Sequence, residues 1–313
     1  MTTPMRTRDR QVHGRPGDTP LRVIAEVLHR KREGAYWSIS AAAPEVAERA
    51  RPGQFVNVAV QAQNGLLRRP FSIYRVSRQG PFAGTVEFVF DAHGPGTEWL
   101  TRIDSHQLLD IVGPLGSAFP IPQRQVPCLL VGGGYGVAPL FFLAEELTRE
   151  GFRVDMLVGA ATQERIFNVI EAKRMTASVT FTTDDGSFGE RGRVTDVLAQ
   201  VAEDCRTKVV YGCGPMPMLR ALSETCGELE LPCQVAVEEH MACGIGVCWT
   251  CVVPIRAKDG SIRMKRSCID GPVFNGGRIA WEASRWDTGA PLPPDEAEAP
   301  EPERLSDADL WGT

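Results

Sequence analysis

Four cysteines carry the clearest chemistry in the sequence. Cys243, Cys248, Cys251 and Cys268 follow the pattern C-x4-C-x2-C-x16-C, and its first two gaps are those of plant-type [2Fe–2S] ligation. Two ferric ions bridged by sulfides carry positive charge that thiolates neutralise well. A loop must wrap closely over such a centre, and Gly244 and Gly246 allow positive φ and keep side chains out of its way. Backbone N–H groups can then point at the sulfurs and help set the potential. A structural zinc site is the competing reading. Zinc ribbons usually pair two C-x2-C knuckles, whereas only Cys248 and Cys251 have that spacing here. A binuclear iron centre moves one electron at a time, so the loop predicts electron transfer rather than hydrolysis. Cys128, Cys205, Cys213, Cys226 and Cys233 form no second pattern and read as small buried hydrophobes.

Further segments offer phosphate or flavin chemistry, each with a plainer reading beside it. Arg68-Arg69-Pro70-Phe71-Ser72 supplies a cation, a hydroxyl and backbone amides such as a flavin needs; alone it is also an exposed arginine beside an edge proline. Gly94-Pro95-Gly96-Thr97 is a glycine turn into a helix start, suited to a diphosphate or simply capped by threonine. Gly113-Pro114-Leu115-Gly116-Ser117 reads as a structural turn. Gly132-Gly133-Gly134-Tyr135-Gly136 follows a strand and precedes a helix, the context of a nucleotide cradle, although Val137 breaks the G-x-G-x-x-G fingerprint. Tyr211-Gly212-Cys213-Gly214-Pro215 ends another strand, where an open α/β sheet binds ligands, and Cys213 there either lies over a nicotinamide or fills a tight turn. Asp184 and Asp185 either flank the adenosine end of a dinucleotide, disfavouring a 2′-phosphate, or are solvated turn residues.

The elements that must hold these groups follow from periodicity. Residues 20–122 are short alternating strands, as in Thr85-Val86-Glu87-Phe88-Val89-Phe90, and predict a small antiparallel barrel. Residues 123–232 alternate apolar strands with helical spacing and predict a doubly wound parallel sheet. Residues 233–283 carry the cysteines as a small third domain. Residues 1–19 and the Pro/Glu/Asp-rich stretch 284–313 are expected to be disordered. The whole is a multidomain β and α/β protein.

Bulk composition narrows the function. With 34 basic and 39 acidic residues the net charge is -5, which argues against nucleic acid as a partner. The uncharged run from Val126 to Ala144 is broken by glycines and Pro139, so no membrane span is expected. Nine cysteines without a disulfide framework fit a reducing compartment, and the cytoplasm is the expected location.

The order of R-x-P-F-S barrel, GGGYGVAPL and YGCGP domain, and C-x4-C-x2-C-x16-C segment resembles the ferredoxin reductase superfamily. Within it, the run E-E-x-M-A-C-G-I-G-x-C-x-x-C and the short final gap look like the electron-transfer subunits of class 1B dihydroorotate dehydrogenases. The resemblance implies that Arg69, Pro70, Phe71, Ser72, Val89, Phe90, Asp91, Gly96 and Thr97 hold FAD. Asp91 departs from the family pattern, where an arginine is usual, and so does His240. Gly133, Gly134, Gly136, Cys213 and Gly214 would serve NAD, and the four cysteines the cluster. No side chain is then required as acid or base. Electrons would pass from the FMN of a separate catalytic subunit through [2Fe–2S] and FAD to NAD+, in pyrimidine (UMP) synthesis, within a heterotetramer of two of each subunit. The flavin subunit of a sulfhydrogenase or of a ferredoxin–NADP reductase complex shares these motifs. A stand-alone NADH-dependent reductase and a zinc-binding interaction protein are further alternatives.

Overall fold

The structure, a computed structural model, describes residues 5–6, 19–61 and 67–283. The stretch 284–313 and most of the N-terminal extension, both expected to be disordered, lie outside the described residues. Met5–Arg6 pair in antiparallel register with Ile121–Pro122.

Alternation of apolar and polar residues closes the first domain. Strands β1 (Leu21–Glu33), β2 (Tyr36–Ala42), β3 (Phe55–Val58), β4 (Arg69–Ser77), β5 (Thr85–Phe90) and β6 (Leu108–Leu115) form a closed antiparallel barrel in the order β1-β2-β5-β4-β3-β6. Every second side chain points inward, so Val27, Ile39, Val58, Ile73, Phe88 and Ile111 share one core. Helix α1 (Pro44–Arg49) adds Val46 and Ala47 to it. A bulge between Val27 and His29 falls where β1, after pairing with β6, runs on along β2. Gly113-Pro114-Leu115, expected as a turn, is instead the end of β6. A Cβ at Gly113 would lie 2.8 Å from Val56 Cγ1, so close strand packing explains the glycine. Helix α2 (Pro95–Leu100) follows β5.

The second domain has helices on both faces of a seven-stranded sheet. Its strands are β7 (Cys128–Gly133), β8 (Val154–Ala160), β9 (Ser178–Thr183), β10 (Glu190–Arg191), β11 (Val209–Cys213), β12 (Cys233–Ala236) and, below, an antiparallel edge strand. Helices α3 (Ala138–Arg149) and α4 (Val169–Met175) bury Phe141, Leu143 and Ala172 with Leu130 and Met156. Helices α5 (Val194–Asp204) and α6 (Met216–Glu228) bury Leu198, Leu219 and Leu222 with Leu129 and Leu157. Adjacent strand residues thus feed opposite layers, which is why these strands read as continuous apolar runs.

The cysteine segment leaves β12, makes a hairpin of β13 (Val252–Arg256) and β14 (Ile262–Arg266), and returns as β15 (Val273–Asn275). Because β15 pairs antiparallel with β12, the segment is an excursion between neighbouring strands of one sheet. Residues from Cys233, placed with the cysteines in the sequence reading, therefore contribute to the parallel sheet. Nothing in a four-residue strand with no flanking glycine signals that membership.

Aromatic packing fixes barrel against sheet. Tyr36 and Tyr74 meet Phe141 and Phe167 in edge-to-face contacts with centroids 5.4 to 6.2 Å apart. Arg75 of the barrel pairs with Glu171 of α4 at 2.9 Å. Within the barrel, Phe88 stacks on Phe71 at 4.9 Å and is fully buried. Phe88→Ala should destabilise the protein by about 3–5 kcal/mol, read as a lowered denaturation midpoint; a change below about 1 kcal/mol would mean the barrel core is not packed this way.

Candidate functional site

The cysteine loop is shaped by backbone that only special residues tolerate. Gly244 and Gly246 have φ of 70° and 86°, and a Cβ on Gly244 would lie 2.3 Å from Asn57 Nδ2. Asn57, on β3, donates to Cys243 O at 3.3 Å and so clamps the loop onto the barrel. Its Oδ1 is buried without a partner among the described residues, a polar atom free to meet a bound group. Trp249 also has positive φ, at 54°. Arg266 lies over its ring at 4.3 Å and donates to Gly246 O at 2.7 Å.

The four thiols fall into two pairs. Cys243 lies close enough to shift the ionisation of Cys248, and Cys251 and Cys268 shift each other's. Cys248 is exposed, and the Thr250 hydroxyl, at 3.2 Å, followed by donors at Cys243, pulls its pKa down to about 6. Cys251 is lowered to about 5 chiefly by the Cys268 thiol, and the same contact raises Cys268. Val247 N–H donates to Cys243 Sγ at 3.3 Å. Two thiolates for each of two irons is the donor set of a [2Fe–2S] centre. With the C-x4-C-x2-C spacing, this donor set fits the cluster.

Cys251 and Cys268 pack with Phe55 and Leu115 of the barrel. Phe55 is the register partner of Ser72, so the Arg69–Ser72 strand runs beside the strand that packs on the cysteines. The Ser72 side is exposed, while Phe71 and Phe90 point into the barrel core and Val89 into the aromatic junction. Only the main chain of those three can face a cofactor. A Cβ on Gly96 would lie 3.2 Å from Arg69 Nε, so glycine lets the arginine reach the start of α2. The Thr97 hydroxyl is engaged locally, accepting from His93 N and Gly94 N at 3.1 and 3.2 Å. Asp91 pairs with Arg165 of the second domain at 3.3 Å, which accounts for a carboxylate at that position.

A cavity of about 480 Å³ opens at the carboxyl ends of β7, β8, β9 and β11, the place where an open α/β sheet takes its ligand. Gly133, Gly134, Gly136 and Gly214 line it as expected, and so does Asp184. The two glycine turns touch: a Cβ on Gly136 would be 2.7 Å from Gly214 Cα. Cys213 is not among the lining residues, and burial pushes its thiol pKa up. Sequence reasoning missed Tyr36, Tyr135, Arg165, Arg193 and Glu238 in the wall. Tyr135 packs on Tyr36 at 5.6 Å and donates to Glu238 Oε1 at 3.2 Å. Burial, then the Glu238 carboxylate, raise the Tyr135 pKa, so it remains a donor. Barrel, sheet and cysteine segment thus meet at this wall. Tyr135 and Glu238 lie within the glycine and cysteine motifs but carried no role there; Tyr36, Arg165 and Arg193 carry no local motif, and the fold brings all five together.

Comparison with known proteins agrees with this geometry. Residues 238–280 match the iron–sulfur cluster binding domain of dihydroorotate dehydrogenase B, and residues 130–224 an oxidoreductase NAD-binding domain. The structure is similar to that of an NADH-dependent reduced ferredoxin–NADP oxidoreductase, with a TM-score of 0.72 and 28% identity over 83% of this chain and 91% of that one. Ferredoxin reductase of carbazole 1,9a-dioxygenase shares the fold, with a TM-score of 0.57. The class is therefore an NAD-linked iron–sulfur oxidoreductase of the ferredoxin reductase fold.

Closer relatives settle the family. The dihydroorotate dehydrogenase B (NAD+) electron transfer subunit of Desulforamulus reducens is 37% identical over 77% of this chain and 90% of its own length. That of Geobacillus thermodenitrificans is 39% identical over 75% and 88%. The chain belongs to the family of dihydroorotate dehydrogenase B electron transfer subunits.

Gly244→Ala tests the loop geometry, because its Cβ meets Asn57 and its φ disfavours any side chain. Purified variant protein should lose most of its iron and visible absorbance while Gly227→Ala, where a Cβ meets nothing within 4 Å, keeps both. Equal iron content in the two would contradict the clamp.

Proposed function

We propose that this chain passes electrons between an FMN-bearing dihydroorotate dehydrogenase catalytic subunit and NAD+, in de novo pyrimidine synthesis. The observation that carries the reading is the position of the paired thiols. On one side Cys251 and Cys268 pack on Phe55, whose strand neighbours Arg69–Ser72, and on the other Cys248 lies beside an exposed apolar rim. Cys243, Cys248, Cys251 and Cys268 hold the cluster. Arg69 and Ser72, the main chain of Pro70, Phe71, Val89 and Phe90, and the Gly96–Thr97 turn hold FAD. Gly133, Gly134, Gly136 and Gly214 cradle NAD(H), with Cys213 packed behind them. Asp91 serves the domain junction through Arg165. When bound, the cluster supplies single-electron passage, and flavin with nicotinamide supplies hydride exchange.

The chain's own residues hold these groups, insulate them and tune them. Donors from Val247 and Thr250 to thiolate sulfur favour the reduced centre. Around Cys248, Ile245, Val247 and Trp249 are 50%, 73% and 54% exposed, more than isolated apolar residues warrant. This rim is the face for the catalytic subunit, in a heterotetramer of two of each. All nine cysteines are free, which fits a reducing cytoplasm. The domain division follows function: barrel for FAD, sheet for NAD, and the excursion between β12 and β15 for the cluster.

Similarity to the ferredoxin–NADP oxidoreductase over most of the chain keeps one second reading, a subunit of a complex of that kind. Isolation from native extract separates the two, since an FMN-containing partner supports the first and a glutamate-synthase-like partner the second. Cys248→Ser should leave NADH-driven flavin reduction within about twofold of wild type and lower dihydroorotate-linked NAD+ reduction by at least about 100-fold, as expected when a relay centre is lost. Equal loss of both activities would overturn the relay order.

A further inference from the structure

Strand β14 has an open edge. It pairs only with β13 among the described strands, and Ile262, Arg263, Met264 and Lys265 are exposed. The ladder's phase is fixed by Ser267 N bonding Cys251 O and Ala257 N bonding Ser261 O. Odd-numbered residues therefore bond inward, and the main-chain groups of Ile262 and Met264 face out. Arg266, next in that row, is already used by the turn, its N–H on Asp270 and its carbonyl on Ile269 N. Two N–H and two C=O groups at Ile262 and Met264 lack partners among the described residues, a template for one short added strand.

The sequence beyond the described residues holds a complementary segment. Residues 284–313 carry eight acids against two arginines, and their prolines stop at Pro302. Leu305-Ser306-Asp307-Ala308-Asp309-Leu310 has every N–H available and places acids two residues apart. The chain reaches this region beside the hairpin: Ala280 N bonds Pro254 O at 2.9 Å, and Glu282 pairs with Arg256. The 21 residues of 284–304 are enough chain to bridge at least roughly 25 Å, while neighbouring strands lie only about 5 Å apart.

We propose that residues 305–310 add to β14 as a third, antiparallel strand, with Leu310 opposite Ile262 and Ala308 opposite Met264. In that register Asp309 falls beside Arg263 and Asp307 beside Lys265, on the other face. The existing Arg263–Asp259 pair is exposed on both sides, and Lys265 stands 3.7 Å from Asp270, so neither contact resists the newcomers. The added strand covers an edge otherwise open to pairing with other chains, next to the Arg266 that steadies Trp249.

Amide hydrogen exchange on the full-length protein, alone and at low salt, tests the register. Ala308→Pro/Leu310→Pro removes the two N–H groups that would bond to β14, and Asp307→Lys/Asp309→Lys reverses the charges. Both variants should speed exchange at Ile262 and Met264 by at least about tenfold over wild type, leaving β7 amides unchanged. Identical exchange in wild type and both variants would overturn the proposal. So would protection that appears only on adding the catalytic subunit, or only as protein concentration rises, since the edge would then belong to that partner or to a second copy.

Discussion

Thiolates are hard to bury, and the cysteine loop depends on how that cost is met. Cys251 and Cys268 are almost wholly buried behind Phe55 and Leu115, so their negative charge needs nearby donors or metal. Cys248 sits at the surface, where a hydroxyl and backbone donors suffice. This asymmetry orients the centre. The buried pair packs on the barrel through Phe55 and Leu115, and Cys248 lies beside the solvent-side apolar rim.

The same economy joins the three domains. Because β12 and β15 are neighbours in one sheet, the cysteine excursion is anchored at both ends to the scaffold that holds the nucleotide cavity. Glu238 follows β12 closely and reaches Tyr135 in the glycine loop, while Tyr36 brings the barrel to the same wall. The aromatic junction around Phe167 and the Asp91–Arg165 pair do the remaining alignment.

Motif-bearing elements were legible in the sequence because their chemistry is local. The cysteine spacing, the strand–glycine–helix passage at Gly132–Ala138 and the alternation of Thr85–Phe90 each follow from short-range rules. What was not legible depends on tertiary contact. Gly113 looked like a turn residue but relieves strand packing against Val56. Asp91 looked misplaced on a flavin strand until its partner Arg165, from another domain, came into contact. Cys233–Ala236 carries too few residues to announce a strand, and its place is decided by the free edge of β11. Asn57, which clamps the cysteine loop, lies on a barrel strand far away in sequence.

Electron paramagnetic resonance of the dithionite-reduced, air-free protein, with iron and sulfide counted on the same sample, bears most directly on the paired thiols. A rhombic signal from a reduced binuclear centre, with about two irons and two sulfides per chain, is the expected result. A silent sample carrying about one zinc per chain would contradict it.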